Sequence, residues 1–301
     1  MRTINSLKKS VSGEFSQKSA EIIFSFSEKV STLENMTDAV LAPSDAPVAA
    51  TRSVTARALS ILGVFSMQRP SLTLSEISRA TGLPVATVYR LAGELEEGRF
   101  LDRDEDGRYS LGLYLWEMGM LTPVHGRLRE IAMPFLLNLQ YTCRETVQLA
   151  VIDGVDAIYI EKLSMVESAP VQSRIGARIP LHATGVGKAL LAFSSPTFVD
   201  TVLGMPLMRF TDETTTSRHT LAKQLAQVVD DGYARSRAEY LVGSTSIAAP
   251  VMVGGVVKAA IGIVNYEDTD LDEWAPALLH ASQALGARLE ELRWGTKEEK
   301  K

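Results

Sequence analysis

Thr87, Tyr89 and Arg90 stand within four residues of one another, just after Pro84. Together they offer a hydroxyl, a phenol and a guanidinium, which can contact phosphate oxygens and, for the arginine, a guanine edge. With Ala86 and Gly93 they fall on the outward side of a helix whose other side carries Val88, Leu91 or Ala92, and Leu95, and neighbouring Val85 is a further candidate contact. Arg52, Arg57, Thr73 and Arg108 lie in the flanking segments and complete the candidate nucleic-acid contacts. From Arg52 to Gly93 the charged residues are Arg52, Arg57, Arg69, Arg79 and Arg90 against Glu76 alone, and all of the positive charge is arginine. A solvated face on an ordinary helical bundle would carry similar charges, so the decision rests on the elements around them.

A second constellation lies at His182–Ala192. Thr184-Gly185-Val186-Gly187 precedes an apolar helical run, so backbone N–H groups at that helix start lack intrahelical partners and favour an anion such as a small carboxylate. Close helix packing is the other use of those glycines. The segment is no phosphate-binding Walker loop, because the preceding glycine is absent. His182, Lys188, Ser244, Ser246 and Asp153 are present, but no spacing assembles a nucleophile elbow, a metal set or paired carboxylates. The one cysteine, Cys143, leaves no internal disulfide and no multi-cysteine zinc site. No metal or cofactor is expected. The rival to a DNA-binding regulator is an enzyme acting on a small carboxylate, with the basic segment as an interaction module.

The elements around the first constellation favour the regulator. Val54, Ala58, Ile61, Leu62 and Phe65 recur at helical spacing, and Arg69-Pro70 is the expected stop. Thr73-Leu74-Ser75-Glu76 is a capping-box signature that opens a short helix burying Ile77 and Ala80. Gly82 supplies a left-handed closure, and Pro84 opens the next helix, to about Glu97. Two short alternating runs, 99–103 and 108–111, flank Asp106-Gly107 and predict a hairpin. Helix, helix, glycine turn, helix and hairpin follow in the order of a winged helix-turn-helix.

Beyond a helical linker, a long helix is expected around Leu128, Ile131, Phe135, Leu136 and Leu139. Strands are expected over 146–152, 157–163, 233–239, 246–253 and 257–264, with helices at 183–193, 196–203, 217–231 and 273–292. Hairpin-linked strands with peripheral helices predict an α+β sensor-like domain, not a parallel dinucleotide-binding sheet. Arg235 and Arg237 are candidate countercharges for a bound acid, although strand arginines more often face solvent.

The whole chain fits two globular domains: 301 residues, 46% hydrophobic, net charge −5. No run reaches the roughly 18 apolar residues that a membrane span needs, and a reducing cytoplasm is the expected setting. Residues 1–51 read as a flexible extension ending in Ala/Pro/Ser-rich text, with Met36 an alternative initiation site.

These residues resemble the IclR family of bacterial transcription regulators. The resemblance is carried by Arg57-Ala58-Leu59, Leu74-Ser75-Glu76-Ile77, Thr81-Gly82-Leu83-Pro84 and Thr87-Val88-Tyr89-Arg90-Leu91. In the second half it is carried by Glu145-Thr146-Val147, the run from Pro180 to Ala192, Gly232-Tyr233-Ala234 and Ser246-Ile247-Ala248-Ala249-Pro250-Val251. It implies a winged helix-turn-helix domain over 52–112, a linker helix over 113–122 and a GAF-like antiparallel-sheet effector domain over 123–295. It further implies a homodimer or tetramer on a near-palindromic operator, released or engaged by a small organic or aromatic acid. The implied pocket is walled by Val171 and Ile179, floored by Gly185 and Val186, and completed by Ser236, Ser244, Ser246, Gly262 and Val264. Ala86 stands where the family usually has serine, Val85 where a polar residue is frequent, and Ser246 where cysteine is frequent. Asn265-Tyr266-Glu267 replaces a common Ser-Gly-Pro. Several pocket positions are less polar than usual, which implies a ligand less hydrophilic than a short keto acid.

Overall fold

A computed structural model describes residues 53–122, 127–164, 173–265 and 270–294. The extension over 1–51, and with it Arg52 and Val171, lies outside the described residues. Contacts divide the chain into two compact units, Met1–Leu115 and Trp116–Lys301.

In the first unit, helix α1 (Val54–Leu62) is capped by Ser53, whose hydroxyl accepts the Ala56 N–H at 3.2 Å. Strand β1 (Ser71–Leu72), α2 (Leu74–Thr81), α3 (Val85–Glu97), β2 (Leu101–Arg103) and β3 (Tyr109–Leu111) follow. The strands pair antiparallel in the order β1-β3-β2. One apolar core joins Ile61, Leu72, Ile77, Leu83, Val88, Leu91, Ala92, Leu101 and Tyr109. Two expectations fail here. The first helix stops at Gly63 rather than Arg69-Pro70, and Val64 and Phe65 pack on the core from the following turn. In α2 only Ile77 is buried, and Ala80 is exposed, because the inward stripe runs Leu74, Ile77, Thr81 and leaves Ala80 at its margin.

Helix α4 (Leu113–Met120) spans the boundary between the units. The second unit continues with α5 (Arg129–Cys143), β4 (Thr146–Asp153), β5 (Asp156–Leu163), β6 (Arg178–Pro180), α6 (Gly185–Ala192), α7 (Pro196–Gly204) and α8 (Arg218–Asp231). It then runs through β7 (Ala234–Arg237), β8 (Thr245–Val253), β9 (Val256–Asn265), a short 3-10 turn (Leu271–Trp274) and α9 (Ala275–Glu291). The six strands form one antiparallel sheet, ordered β6-β5-β4-β9-β8-β7.

Strand alternation sends the two faces of this sheet into two cores. Val147, Leu149, Val151, Ile247, Ala249, Ile261 and Ile263 pack with α5 and α9. Ala150, Ala234, Ala248 and Ala260 face the other way, towards α6 and α8. The expected strands and helices are present to within a few residues, but the last helix begins with the 3-10 turn. β1 and β6 carry too few residues to show a period.

The alternation breaks at one point on β5. Leu149 pairs with Glu161 and Ala150 with Tyr159, so Ile160 is an extra residue on that strand. Such a bulge reverses which side chains share a face on its two sides. Tyr159 and Lys162 therefore both lie on the α6 side, while Glu161 faces α5 and pairs with Arg129.

Candidate functional site

In the first unit the capping box forms in both directions. Thr73 Oγ1 accepts the Glu76 N–H at 3.3 Å, and Glu76 Oε2 accepts the Thr73 N–H at 2.7 Å and its hydroxyl at 2.9 Å. These bonds, the Thr73 backbone N–H foremost, hold the Glu76 carboxyl below its ordinary range. Arg108, at the start of β3, joins the same cluster. Its Nε donates to Ser71 Oγ at 3.1 Å, and its terminal nitrogen donates to Ser71 O at 2.8 Å and to Glu76 at 3.3 Å. Thr73 and Arg108 thus tie the hairpin to the start of α2.

Gly82, at φ +69°, makes the turn that α2 and α3 need, and the Ser78 hydroxyl donates across it to Leu83 O at 2.6 Å. Pro84 is the residue before α3 proper. The helix buries Val88, Leu91 and Ala92 and exposes Val85, Ala86, Tyr89, Arg90 and Gly93, with Thr87 half-buried. Arg90 pairs with Glu94 one turn on, with both side chains more than half exposed, so the contact is weak and easily exchanged. A Cβ at Gly93 would meet nothing within 4 Å, so packing does not require glycine there. Arg57 is half-buried on α1, and its Nε is buried with no hydrogen-bond partner among the described residues.

In the second unit Ile179, Gly185, Val186, Ser236, Ser246, Gly262 and Val264 lie on the α6 side of the sheet. Gly185 and Val186 open α6, after Thr184, whose hydroxyl accepts the Gly187 N–H at 3.1 Å and donates to Pro180 O at 2.9 Å. A Cβ on Gly185 would stand 2.7 Å from Ser246 Oγ, and one on Gly262 would stand 2.7 Å from Val186 Cγ1. Close approach of α6 to β8 and β9 therefore depends on both glycines. Ser236 lies opposite Ser246, and Ser246 lies opposite Val264. The Ser236 hydroxyl donates to Ala183 O at 3.2 Å, and Ile179 on β6 belongs to the same apolar cluster as Val186. Ser244 sits in the β7–β8 loop, where its hydroxyl donates to Leu241 O at 2.7 Å.

Arg235 is not a countercharge for this site. It points away from buried Ala234 and Ser236, and it is held by Asp231, Asp272 and Tyr233. Arg237 shares its exposed side of β7.

Several polar residues on this face were not foreseen. Thr146 and Gln148 are buried on β4, and Gln148 lies opposite Gly262 on one side and Lys162 on the other. Gln148 Nε2 donates to Ser173 Oγ, and Lys162 Nζ donates to Ser173 O at 2.8 Å. A threonine and a glutamine at alternate positions of an otherwise apolar strand, Thr146 and Gln148 among Val147, Leu149 and Val151, are the signal that could have found them.

Further along α6, Lys188 forms a buried ion pair with Glu239. Burial lowers the Lys188 ammonium from its ordinary value, and Glu239 opposes that shift. His182 donates from Nε2 to Met208 O at 2.9 Å and packs against Phe210; burial lowers its imidazole. Cys143 is buried and its thiol is raised by desolvation, which makes it a poor nucleophile. Among the described residues no group of three His, Cys, Asp or Glu could hold a metal ion, and no helix is long and apolar enough to cross a membrane.

A helix-turn-helix with a hairpin, and a separate antiparallel-sheet unit with small and polar side chains lining one face, define a DNA-binding regulator carrying an effector domain. The chain belongs to the IclR family of bacterial transcriptional regulators. The IclR helix-turn-helix domain matches residues 54–105, and the domain described as bacterial transcriptional regulator IclR C-terminal matches residues 122–286. It is a family of regulators, not of enzymes. The chain is 35% identical over 240 residues to the HTH-type transcriptional regulator XynR of Escherichia coli K12, covering 77% of this chain and 95% of that one. It is 33% identical over 224 residues to the HTH-type transcriptional regulator KipR of Bacillus subtilis, covering 74% and 89%. Among solved structures, an IclR homolog from Microbacterium hydrocarbonoxydans complexed with 4-hydroxybenzoate superposes with a TM-score of 0.75 at 31% identity, covering 79% of this chain and all of that one.

Proposed function

We propose that this regulator reads an operator with α3 and that a small organic acid, aromatic in preference to a short keto acid, alters its affinity for that operator. The DNA contacts are Val85, Ala86, Thr87, Tyr89 and Arg90 on α3, with Arg52 and Arg57 before it and Thr73 and Arg108 at the base of the hairpin. The acid sits among Val171, Ile179, Gly185, Val186, Ser236, Ser244, Ser246, Gly262 and Val264. The protein works in the cytoplasm as a homodimer or tetramer, with residues 52–112, 113–122 and 123–295 as reader, linker helix and effector domain. Exposed Leu113, Trp116 and Leu121 in and beside α4 support assembly through apolar contact.

The observation that carries the DNA reading is the solvent-exposed row Ala86, Tyr89, Arg90 on a helix whose other side buries Val88, Leu91 and Ala92. For the effector, support comes from the relative's 4-hydroxybenzoate complex together with the convergence of Gly185, Val186, Ser246 and Gly262.

Fluorescence anisotropy with DNA from upstream of the protein's own gene, across a salt series and against unrelated competitor DNA, tests the reading. Selective binding is expected to weaken with salt. Arg90→Ala should lose selectivity at one base position, or lower the salt slope by about 1 if Arg90 meets a phosphate. Binding indifferent to both salt and Arg90 would overturn it.

A further inference from the structure

We infer that Gln148 reads a hydroxyl on the effector's ring, so that the site selects hydroxylated aromatic acids over unsubstituted ones. The inference rests on the effector reading and names the substituent that this site distinguishes.

The geometry comes from register. Alternation along β4 sends Val147, Leu149 and Val151 into the core against α5 and α9, and Gln148 with Ala150 to the α6 side. Gln148 lies directly opposite Gly262 on β9, and Gly262 lies opposite Ala248 on β8. The start of α6 comes down on these two inner strands. A Cβ on Gly262 would stand 2.7 Å from Val186 Cγ1, and one on Gly185 would stand 2.7 Å from Ser246 Oγ and 3.6 Å from Ala248 Cβ. Gln148 therefore stands one strand spacing, about 5 Å, from the strand beneath Val186 and two, about 10 Å, from the strand beneath Gly185. Its amide borders the proposed acid site on the β4 side, and Ser246 borders it on the β8 side.

The side chain is out of place by packing alone. Gln148 is 3% exposed, and the residues nearest to it on this face, Gly262, Ala150, Ala260 and Ala248, carry no polar side-chain atom. Burying an amide costs free energy unless its donors and acceptors are met. Gln148 Nε2 donates to Ser173 Oγ, and Ser173 is itself fixed, because its carbonyl accepts from Lys162 Nζ at 2.8 Å. One end of the amide is thereby taken, and the other meets no described residue. A phenolic hydroxyl suits that end, since it can both donate and accept. An unsubstituted ring would leave the end unpaired, the situation in which a hydrogen-bonding site discriminates best.

The test is calorimetric titration of the full-length protein with 4-hydroxybenzoate, 3-hydroxybenzoate, benzoate and pyruvate. The wild type should bind one of the hydroxybenzoates about tenfold or more tightly than benzoate, the scale of one satisfied buried hydrogen bond. Gln148→Leu should weaken that hydroxybenzoate by a similar factor, leave benzoate within about threefold, and so erase the preference. A purely structural role would weaken both acids alike. Far-ultraviolet circular dichroism and thermal unfolding report that the variant has folded; Gln148→Met replaces the leucine variant should that one fail. Equal losses for hydroxybenzoate and benzoate, or a wild type that binds them alike, overturn the assignment to Gln148 and leave an effector site in place. A wild type that binds pyruvate alone, or none of the four acids, overturns the aromatic-acid reading and the assignment with it.

Discussion

Lys188 of α6 and Glu239, just beyond β7, form an ion pair from which solvent is almost wholly excluded, with side-chain exposures of 2% and 9%. The carbonyl of Glu239 also accepts from the Thr214 hydroxyl at 2.6 Å, so the pair fastens the helix that opens the pocket to the loop before α8. Removing one partner of a buried pair strands the other charge. Lys188→Met is expected to destabilise the effector unit by about 3–5 kcal/mol, whereas Lys188→Met with Glu239→Leu should recover most of the loss. Urea unfolding of the three proteins measures it; a double variant no better than the single one would show that the pair is not the source.

His182 predicts how stability responds to pH. Burial lowers its imidazole, and the bond to Met208 O only partly opposes this. The unfolded chain therefore takes up the proton first, so stability falls as pH drops below about 6.5 and levels off beneath the folded value. Thermal unfolding of wild type and His182→Asn between pH 5 and 8 should show a flatter profile for the variant. Parallel profiles would assign the slope to other groups.

The capping box predicts a second, more acidic dependence in the DNA-reading unit. Glu76 is held low by the Thr73 backbone N–H and hydroxyl, so its contribution is present above the ordinary glutamate range and is lost as pH falls through the depressed folded value. Glu76→Gln should flatten the acid limb of unfolding. Thr73→Ala should cost that unit about 1 kcal/mol at neutral pH. Both are read by chemical unfolding followed through far-ultraviolet circular dichroism.

Gly93 separates stability from reading. Its missing side chain faces open space in the middle of α3, so Gly93→Ala should stabilise the unit by up to about 1 kcal/mol. The same methyl would stand on the stripe that includes Ala86 and Arg90, and operator affinity should fall severalfold. A variant both more stable and equal in affinity would show that DNA does not approach the backbone there.

Much of this was legible in the residues. The three-to-four spacing of Val88, Leu91 and Leu95 after Pro84 fixed which side of α3 meets solvent, and alternation marked the long strands of the effector unit. Gly185 and Gly262 permit the close approach of α6 to the sheet, and a pocket there was implied only by the family resemblance. What was hidden depends on distance along the chain or on broken periods. Lys188 and Glu239 are 51 residues apart, and Arg108 reaches Ser71 across 37. The bulge at Ile160 inverts the alternation, so strict period two would have put Lys162 on the opposite face from Tyr159, and three-residue β6 has no period to detect. The early stop at Gly63 was missed because Val64 and Phe65 continue the apolar text while leaving the helix.

The two faces of the six-stranded sheet divide the chain's tolerance for change. On the α5 and α9 side, large aliphatic side chains interlock, and Gly286 sits so close to Met252 O that a Cβ would lie 2.5 Å from it. On the α6 side Ala150, Ala234, Ala248 and Ala260 present small side chains, while Gly185 and Gly262 leave no room for a Cβ. With the acid bound on the α6 side as proposed, a lineage could retune what it detects on that surface of the sheet while the other surface keeps the domain folded.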